Sequence, residues 1–300
     1  MLKFFMCGLV LLLLPGVGQA QKSGSVVVVT IRPLHALVAG VMGETGTPVL
    51  LLKGSPHDVQ LRPSQAKALQ DASVVFAVGT GLEPFFETSV DKTRLVTLVP
   101  GSDVLLLPRR EGEVWGGEEE DAHDHHTHTT TDMHIWLDPG NAIRIVQAIT
   151  TELASRFPEH TEAYHANARR LIARLEALDT RIKKVLRDVR GRPFIVFHDA
   201  TQYVERAYGL QAMGAITREP EQPPAPRHMA ALRAMLKERS IRCIVYEPEA
   251  SERWIAAAKE GVEGVHTVML DPLGSTLPEG EDAYFTMMEQ LATRLGDCVK

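Results

Sequence analysis

Apolar positions along this chain fall into two rhythms. Short runs of mostly branched residues, 26–31, 49–52, 74–78 and 95–99, are each bounded by Gly, Pro or polar turns, the pattern of buried strands. Between them lie short amphipathic segments in which Pro33 and Pro63 sit where a helix begins, a position that does not need the missing N–H. Strands alternating with helices imply parallel pairing and right-handed crossovers, so residues 21–158 read as an α/β lobe.

The second rhythm has a helical period. Asp138 followed by Pro139 is a helix start, and Ile143, Val146, Ile149 and Leu153 mark one face down to Pro158. Residues 159–190 contain no Gly or Pro, and Ala168, Leu171, Leu175, Leu178, Ile182 and Val185 recur at steps of 3 or 4. That predicts a helix about 48 Å long at ~1.5 Å per residue, a rigid strut between two lobes. Alternation then resumes in residues 191–300, with strands at 194–197, 241–246 and 266–270 and helices near 227–237, 252–260 and 284–295. The predicted fold is therefore two α/β lobes joined by one long rigid helix, with a cleft between the lobes.

One tract has neither rhythm. Residues 111–132 carry eight acidic residues, no Lys or Arg, and the run GEEEDAHDHHTHTTTD, which predicts a disordered loop. Its histidines, His123, His125, His126 and His128, either gather metal as an auxiliary site or belong to a solvated, biased loop. The first 20 residues also stand apart: Lys3, an apolar run from Phe4 to Leu14, and Gly18-Gln19-Ala20 form an export signal cleaved near Ala20. That run is too short to cross a bilayer, which takes roughly 20 apolar residues.

Composition narrows the function. Of 300 residues 44% are hydrophobic and 23% charged, which is globular, and the net charge of -6 argues against a partner made of nucleic acid. Without the signal segment the balance is 31 basic against 38 acidic, or -7, and the loop alone carries -8, so the folded remainder is near neutral. Loss of Cys7 with the signal leaves Cys243 and Cys298. In an oxidising compartment they suggest one disulfide, with two buried free thiols as the alternative.

Four metal-capable side chains lie just past apolar strands or in strand-to-helix loops: His57 in KGSPHDVQLRPS, His134 in DMHIWLDP, His198 in FIVFHDATQY and Asp271 in VMLDPLGS. Ligands of open α/β sheets bind at such carboxyl ends. The histidine separations, 77 and 64 residues, are not those of a zinc finger. His35, His160, His165, His228 and His266 show no converging partners and read as packing or surface residues.

The ordered set GSPHDVQLRPS, MHIWLDP, FHDATQY, YEPE and LDPLG, flanking a His/Asp-rich tract, resembles the zinc-binding periplasmic proteins of high-affinity zinc ABC importers, the ZnuA family. The resemblance runs from about Val26 to Cys298. It implies a two-lobed binding protein that takes Zn²⁺ at the lobe interface and hands it to a membrane permease, acting as a periplasmic monomer. Carried onto matching positions, His57, His134 and His198 are the ligands. Some members have a glutamate where this chain has Pro56, so Asp271 or a water is the expected fourth ligand. In manganese-preferring relatives the position of His198 is a carboxylate, and the imidazole here points to zinc. The family pattern also pairs cysteines like Cys243 and Cys298.

Other readings of the same residues are a secreted zinc hydrolase, with Asp199 or Glu247 as general base, and a manganese-binding or adhesive member of the same scaffold. No HExxH run is present for the first.

Overall fold

The runs of branched apolar residues do form strands. The computed structural model describes residues 26–57, 59–116 and 130–300. The export signal and the four loop histidines lie outside the described residues.

The first half contains β1 (Val27–Val29), α1 (Arg32–Met42), β2 (Val49–Leu50), α2 (Pro63–Asp71), β3 (Val74–Ala77), α3 (Phe86–Ser89), β4 (Leu95–Thr97), β5 (Leu107–Pro108), β6 (Thr131–Asp132) and α4 (Pro139–Arg156). The first four strands make one parallel sheet in the order β2-β1-β3-β4, with Val28 opposite both Val49 and Val75. β1 and β3 are buried along their whole length, which is why they read as unbroken apolar runs and not as alternation. Pro33 and Pro63 stand in the first turn of α1 and α2, and Asp138 caps α4 by accepting from the Asn141 amide at 2.9 Å.

The strut is α5 (Thr161–Leu186). Its expected outer turns tighten into 3₁₀ turns at Pro158–His160 and Arg187–Val189. Val185, expected on the buried face, is 47% exposed, while Leu186 is fully buried. The period of 3.6 residues continues from Leu178 and Ile182 by a step of four.

The second half contains β7 (Pro193–Val196), α6 (Gln202–Tyr208), β8 (Gln211–Ala215), α7 (Pro226–Glu238), β9 (Cys243–Tyr246), α8 (Glu252–Lys259), β10 (His266–Met269) and α9 (Asp282–Cys298). Its sheet is again parallel, in the order β10-β9-β7-β8. The strut packs on α1 and α4 of the first lobe and on α6 and α9 of the second. α9 also lies against α1, so one hydrophobic cluster runs from Val27 to Val299 through both lobes.

Two elements depart from the sequence expectation. β8, with its Ala and Gly, has little strand propensity and is formed by pairing with β7. The tract 111–132, expected to be disordered throughout, is ordered at both ends: Glu113–Trp115 make a 3₁₀ turn, and Thr131–Asp132 pair antiparallel with Leu107–Pro108. Tertiary contacts hold these ends. A Cβ on Gly214 of β8 would come within 2.5 Å of the Val114 carbonyl, so glycine there lets the turn close on the sheet. The Arg110 guanidinium stacks 3.8 Å over the Trp115 ring.

Cys243 and Cys298 form a disulfide, with Cα atoms 5.5 Å apart, that ties β9 to the end of α9. Closing a 55-residue loop in the unfolded chain stabilises the fold by roughly 4 kcal/mol in the chain-entropy view. Reduction is expected to lower the melting temperature while leaving the lobe interface assembled. Equal melting curves with and without reductant would contradict this.

Candidate metal centre

His57, His134 and His198 converge from three different elements. His57 lies in the loop after β2, whose pairing extends through Leu52, where the amide donates to the Thr30 carbonyl. His198 follows Phe197, which continues the pairing one residue past β7 through its amide to the Val245 carbonyl. His134 arrives on the β5–β6 hairpin, two residues beyond Asp132. Ring centroids stand 5.0–5.8 Å apart in the three pairs, and one nitrogen from each ring lies within 4.8 Å of the others. His134 and His198 are buried and His57 is half-buried.

Each ring has a carboxylate on its Nδ1 side. Nδ1 of His134 is 2.8 Å from Asp132 Oδ1, that of His198 is 3.1 Å from Glu247 Oε1, and that of His57 is 3.8 Å from Glu219 Oε2. At 2.8 and 3.1 Å such a partner fixes the tautomer of His134 and His198 with Nδ1 protonated and Nε2 available as a donor to a metal, whereas Glu219 at 3.8 Å only faces His57. Burial drives the His134 imidazole down to about 3 and the Asp132 carboxyl up to about 7. Burial, reinforced by the two neighbouring imidazoles, also holds His57 well below its ordinary value. His198 moves the other way: burial pulls it down, but the hydrogen bond and charge of Glu247 outweigh this and raise it. Asp132 Oδ2 and Glu247 Oε2 are buried with no hydrogen-bond partner, a cost that a cation between the rings would offset.

Asp271 is not part of this cluster. It lines the same apolar pocket as the three histidines, yet Oδ1 accepts from the Ser275 amide at 3.0 Å and Oδ2 from the Thr276 amide and hydroxyl at 3.0 and 2.9 Å. Its carboxylate closes the turn after β10, a role that a strand-end Asp before Pro shares in sequence with a metal ligand. Asp271→Ala is expected to destabilise the fold by about 1 kcal/mol, as loss of a capping carboxylate does, and to leave zinc affinity within a few-fold. Thermal unfolding and calorimetry on one variant check both halves.

The sequence offered no signal for the arginine–carboxylate pairs beyond the rings. Arg109 donates to Glu219 at 2.5 Å, and burial of Glu219 is outweighed by that guanidinium, which holds its carboxyl low. Arg110 forks onto Asp199 and Glu205, with Nε 2.9 Å from Asp199 and Nη1 2.8 Å from Glu205. Both candidate general bases are thus engaged, Asp199 by Arg110 and Glu247 by His198. Three bonds pin the His134 segment to the second lobe: Tyr203 Oη donates to the Asp132 carbonyl, Trp136 Nε1 to the Pro272 carbonyl, and Tyr284 Oη to the Trp136 carbonyl, at 2.7–2.8 Å. A D-x-H run and the Glu of YEPE are the sequence traces of Asp132 and Glu247.

Comparison with known proteins places this site in context. The family model for ZnuA, zinc-uptake complex component A, periplasmic, matches residues 27–298. The high-affinity zinc uptake system protein ZnuA of Brucella abortus (strain 2308) is 33% identical over 310 residues, covering 91% of each chain. That of Yersinia pestis is 34% identical over 294 residues, covering 93% of this chain and 92% of the relative. Among solved structures, the laminin-binding adhesin Lmb of Streptococcus agalactiae superposes with a TM-score of 0.77 at 22% identity, over 92% of this chain and all of that one. AdcAII of Streptococcus pneumoniae gives 0.74 at 24% identity over the same shares, and both show the shared fold. By the family match across nearly the whole described chain and the identity to both relatives, this chain belongs to the ZnuA family, component A of periplasmic zinc-uptake complexes.

Proposed function

We propose that this protein captures Zn²⁺ in the periplasm through His57, His134 and His198 and delivers it, as a monomer, to the membrane permease of an ABC-type zinc importer. The observation that carries the reading is the convergence of three imidazoles, each with its Nδ1 side on a carboxylate. An all-nitrogen set suits zinc over manganese, which prefers oxygen. Membership of a zinc-uptake family supports the transport role. No helix among the described residues is long and apolar enough to cross a membrane. Calorimetric titration of residues 21–300 lacking 117–129, which removes background from the loop histidines as auxiliary ligands, should give one zinc equivalent and far weaker manganese binding. Zinc binding no tighter than manganese would overturn the reading.

The pH dependence follows from the three imidazoles. A ring must be neutral to bind, and His57 and His134 are neutral at pH 7 because burial lowers both. His198, raised by Glu247, keeps its proton longest as pH rises and competes with zinc first as pH falls. Affinity should therefore decline as pH drops through a value above the ordinary ~6.5 of histidine. Zinc binding should release protons near neutrality, read from calorimetry in buffers of different ionisation enthalpy. Affinity unchanged between pH 8 and 6 would contradict the assignment.

A further inference from the structure

Three imidazoles leave a tetrahedral metal one ligand short, and five carboxylates near the rings each hold a partner through at least one oxygen. Asp132 holds His134, Glu247 holds His198, Glu219 is bonded to Arg109, Asp199 to Arg110, and Asp271 closes its turn. Glu221 is engaged as well, with Ser55 Oγ at 3.5 Å among its contacts. Pro56, immediately before His57, has no side-chain donor atom to offer.

The rings also open onto a polar cavity of about 500 Å³, far more room than one hydrated ion fills and within the usual size of small-ligand sites. His57, His134 and His198 form part of its wall, and so do three arginines. Arg109 and Arg110 are neutralised by Glu219, Asp199 and Glu205. Arg218 differs: among the described residues it has no hydrogen-bond or ion-pair partner. Its place in the fold brings it close to the metal rings. The Thr217 amide bonds to the Phe197 carbonyl, so Arg218 leaves the sheet one strand over from His198, and neighbouring strands lie only ~4.8 Å apart. A guanidinium in a cavity wall, unpaired and half-buried, presents a planar fork to a carboxylate.

We infer that the cavity takes a small carboxylate anion together with the metal, one oxygen filling the open coordination position and the carboxylate group pairing with Arg218. The inference rests on the three-histidine metal reading and adds the co-ligand to it. The recognition is by chemistry and size: a mono- or dicarboxylate that fits the cavity is held, whereas chloride supplies a charge without the planar pair of oxygens that the guanidinium matches.

The test uses the full exported chain loaded with cobalt(II), whose visible absorption reports its ligands, titrated with acetate and with malonate against chloride at equal ionic strength. The expected result is a saturable spectral change with the carboxylates and none with chloride. Arg218→Gln should weaken the carboxylate response roughly tenfold or more, as loss of a charge-assisted fork does, while cobalt affinity in carboxylate-free buffer stays within two-fold. No spectral change with either carboxylate would overturn the inference. A glutamine variant responding like the parent would show adventitious co-ligation only and overturn it equally. Failure of cobalt to bind, or undiminished binding by His134→Ala, would instead overturn the metal reading and this inference with it.

Discussion

His134→Ala is expected to abolish high-affinity zinc binding, with a loss of more than about a hundredfold, since removing even an outer-shell partner of a metal-bound histidine costs 10–100-fold. The ring is tightly constrained. It is 7% exposed, donates toward Asp132, and lies 5.3 Å from the Trp136 ring, in a segment bonded to the opposite lobe at three points. The fold itself should survive, since burial raises the Asp132 carboxyl to about 7 and lets it persist as the neutral acid. Two measurements separate these effects. The parent should gain about 2.7 kcal/mol of stability at zinc a hundredfold above its dissociation constant, and the variant should gain almost none. Its metal-free melting temperature should stay close to the parent's. Full-strength calorimetric binding by the variant would remove His134 from the site.

Arg110→Ala should be the most destabilising single change outside the apolar core. The guanidinium makes four hydrogen bonds to Asp199 and Glu205, whose side chains are 18% and 7% exposed, and stacks on Trp115. Removing it leaves two part-buried carboxylates facing each other without a counter-ion, which costs about 3 kcal/mol. For a chain of this size that is a fall of roughly 5 °C in melting temperature. Thr201 Oγ1 and the Ala212 amide still hold Glu205, at 2.8 and 2.9 Å, so the unpaired charge falls mainly on Asp199, directly after His198. The Glu113–Trp115 turn should loosen with it, because Arg110 stacks on Trp115 and binds Asp199 and Glu205 of the second lobe. Arg110→Lys keeps the charge but not the fork and should recover less than half of the loss. A metal-free melting temperature within 2 °C of the parent would show the network to be worth little, as exposed ion pairs are.

The departures from sequence expectation share one cause. Val185 and Leu186 are both apolar, and helical period alone leaves either as the next buried position; only packing of the strut against α9 and the first lobe decides for Leu186. Asp271 precedes Pro at a strand end, as a ligand can, and the amides of Ser275 and Thr276 claim it only once the turn is closed. Gln211–Ala215 lacks branched residues and becomes a strand because β7 offers it an edge.

What the amino-acid sequence determined by itself is whatever repeats locally. Branched runs bounded by turns specified the first parallel sheet and three strands of the second, the helical period specified the strut, Asp138-Pro139 specified the start of α4, and strand-end positions singled out His57, His134 and His198. The tertiary structure alone decided how those ends meet and what holds them. Arg110 finds Asp199 and Glu205 at separations of 89 and 95 residues, and Tyr203 reaches the Asp132 carbonyl across 71. Hydrogen bonds between charged groups leave no period along the chain, because their geometry is set by where two lobes come to rest and not by neighbouring residues. Hydrophobic burial, which recurs with the pitch of the helix and the spacing of the sheet, does leave one.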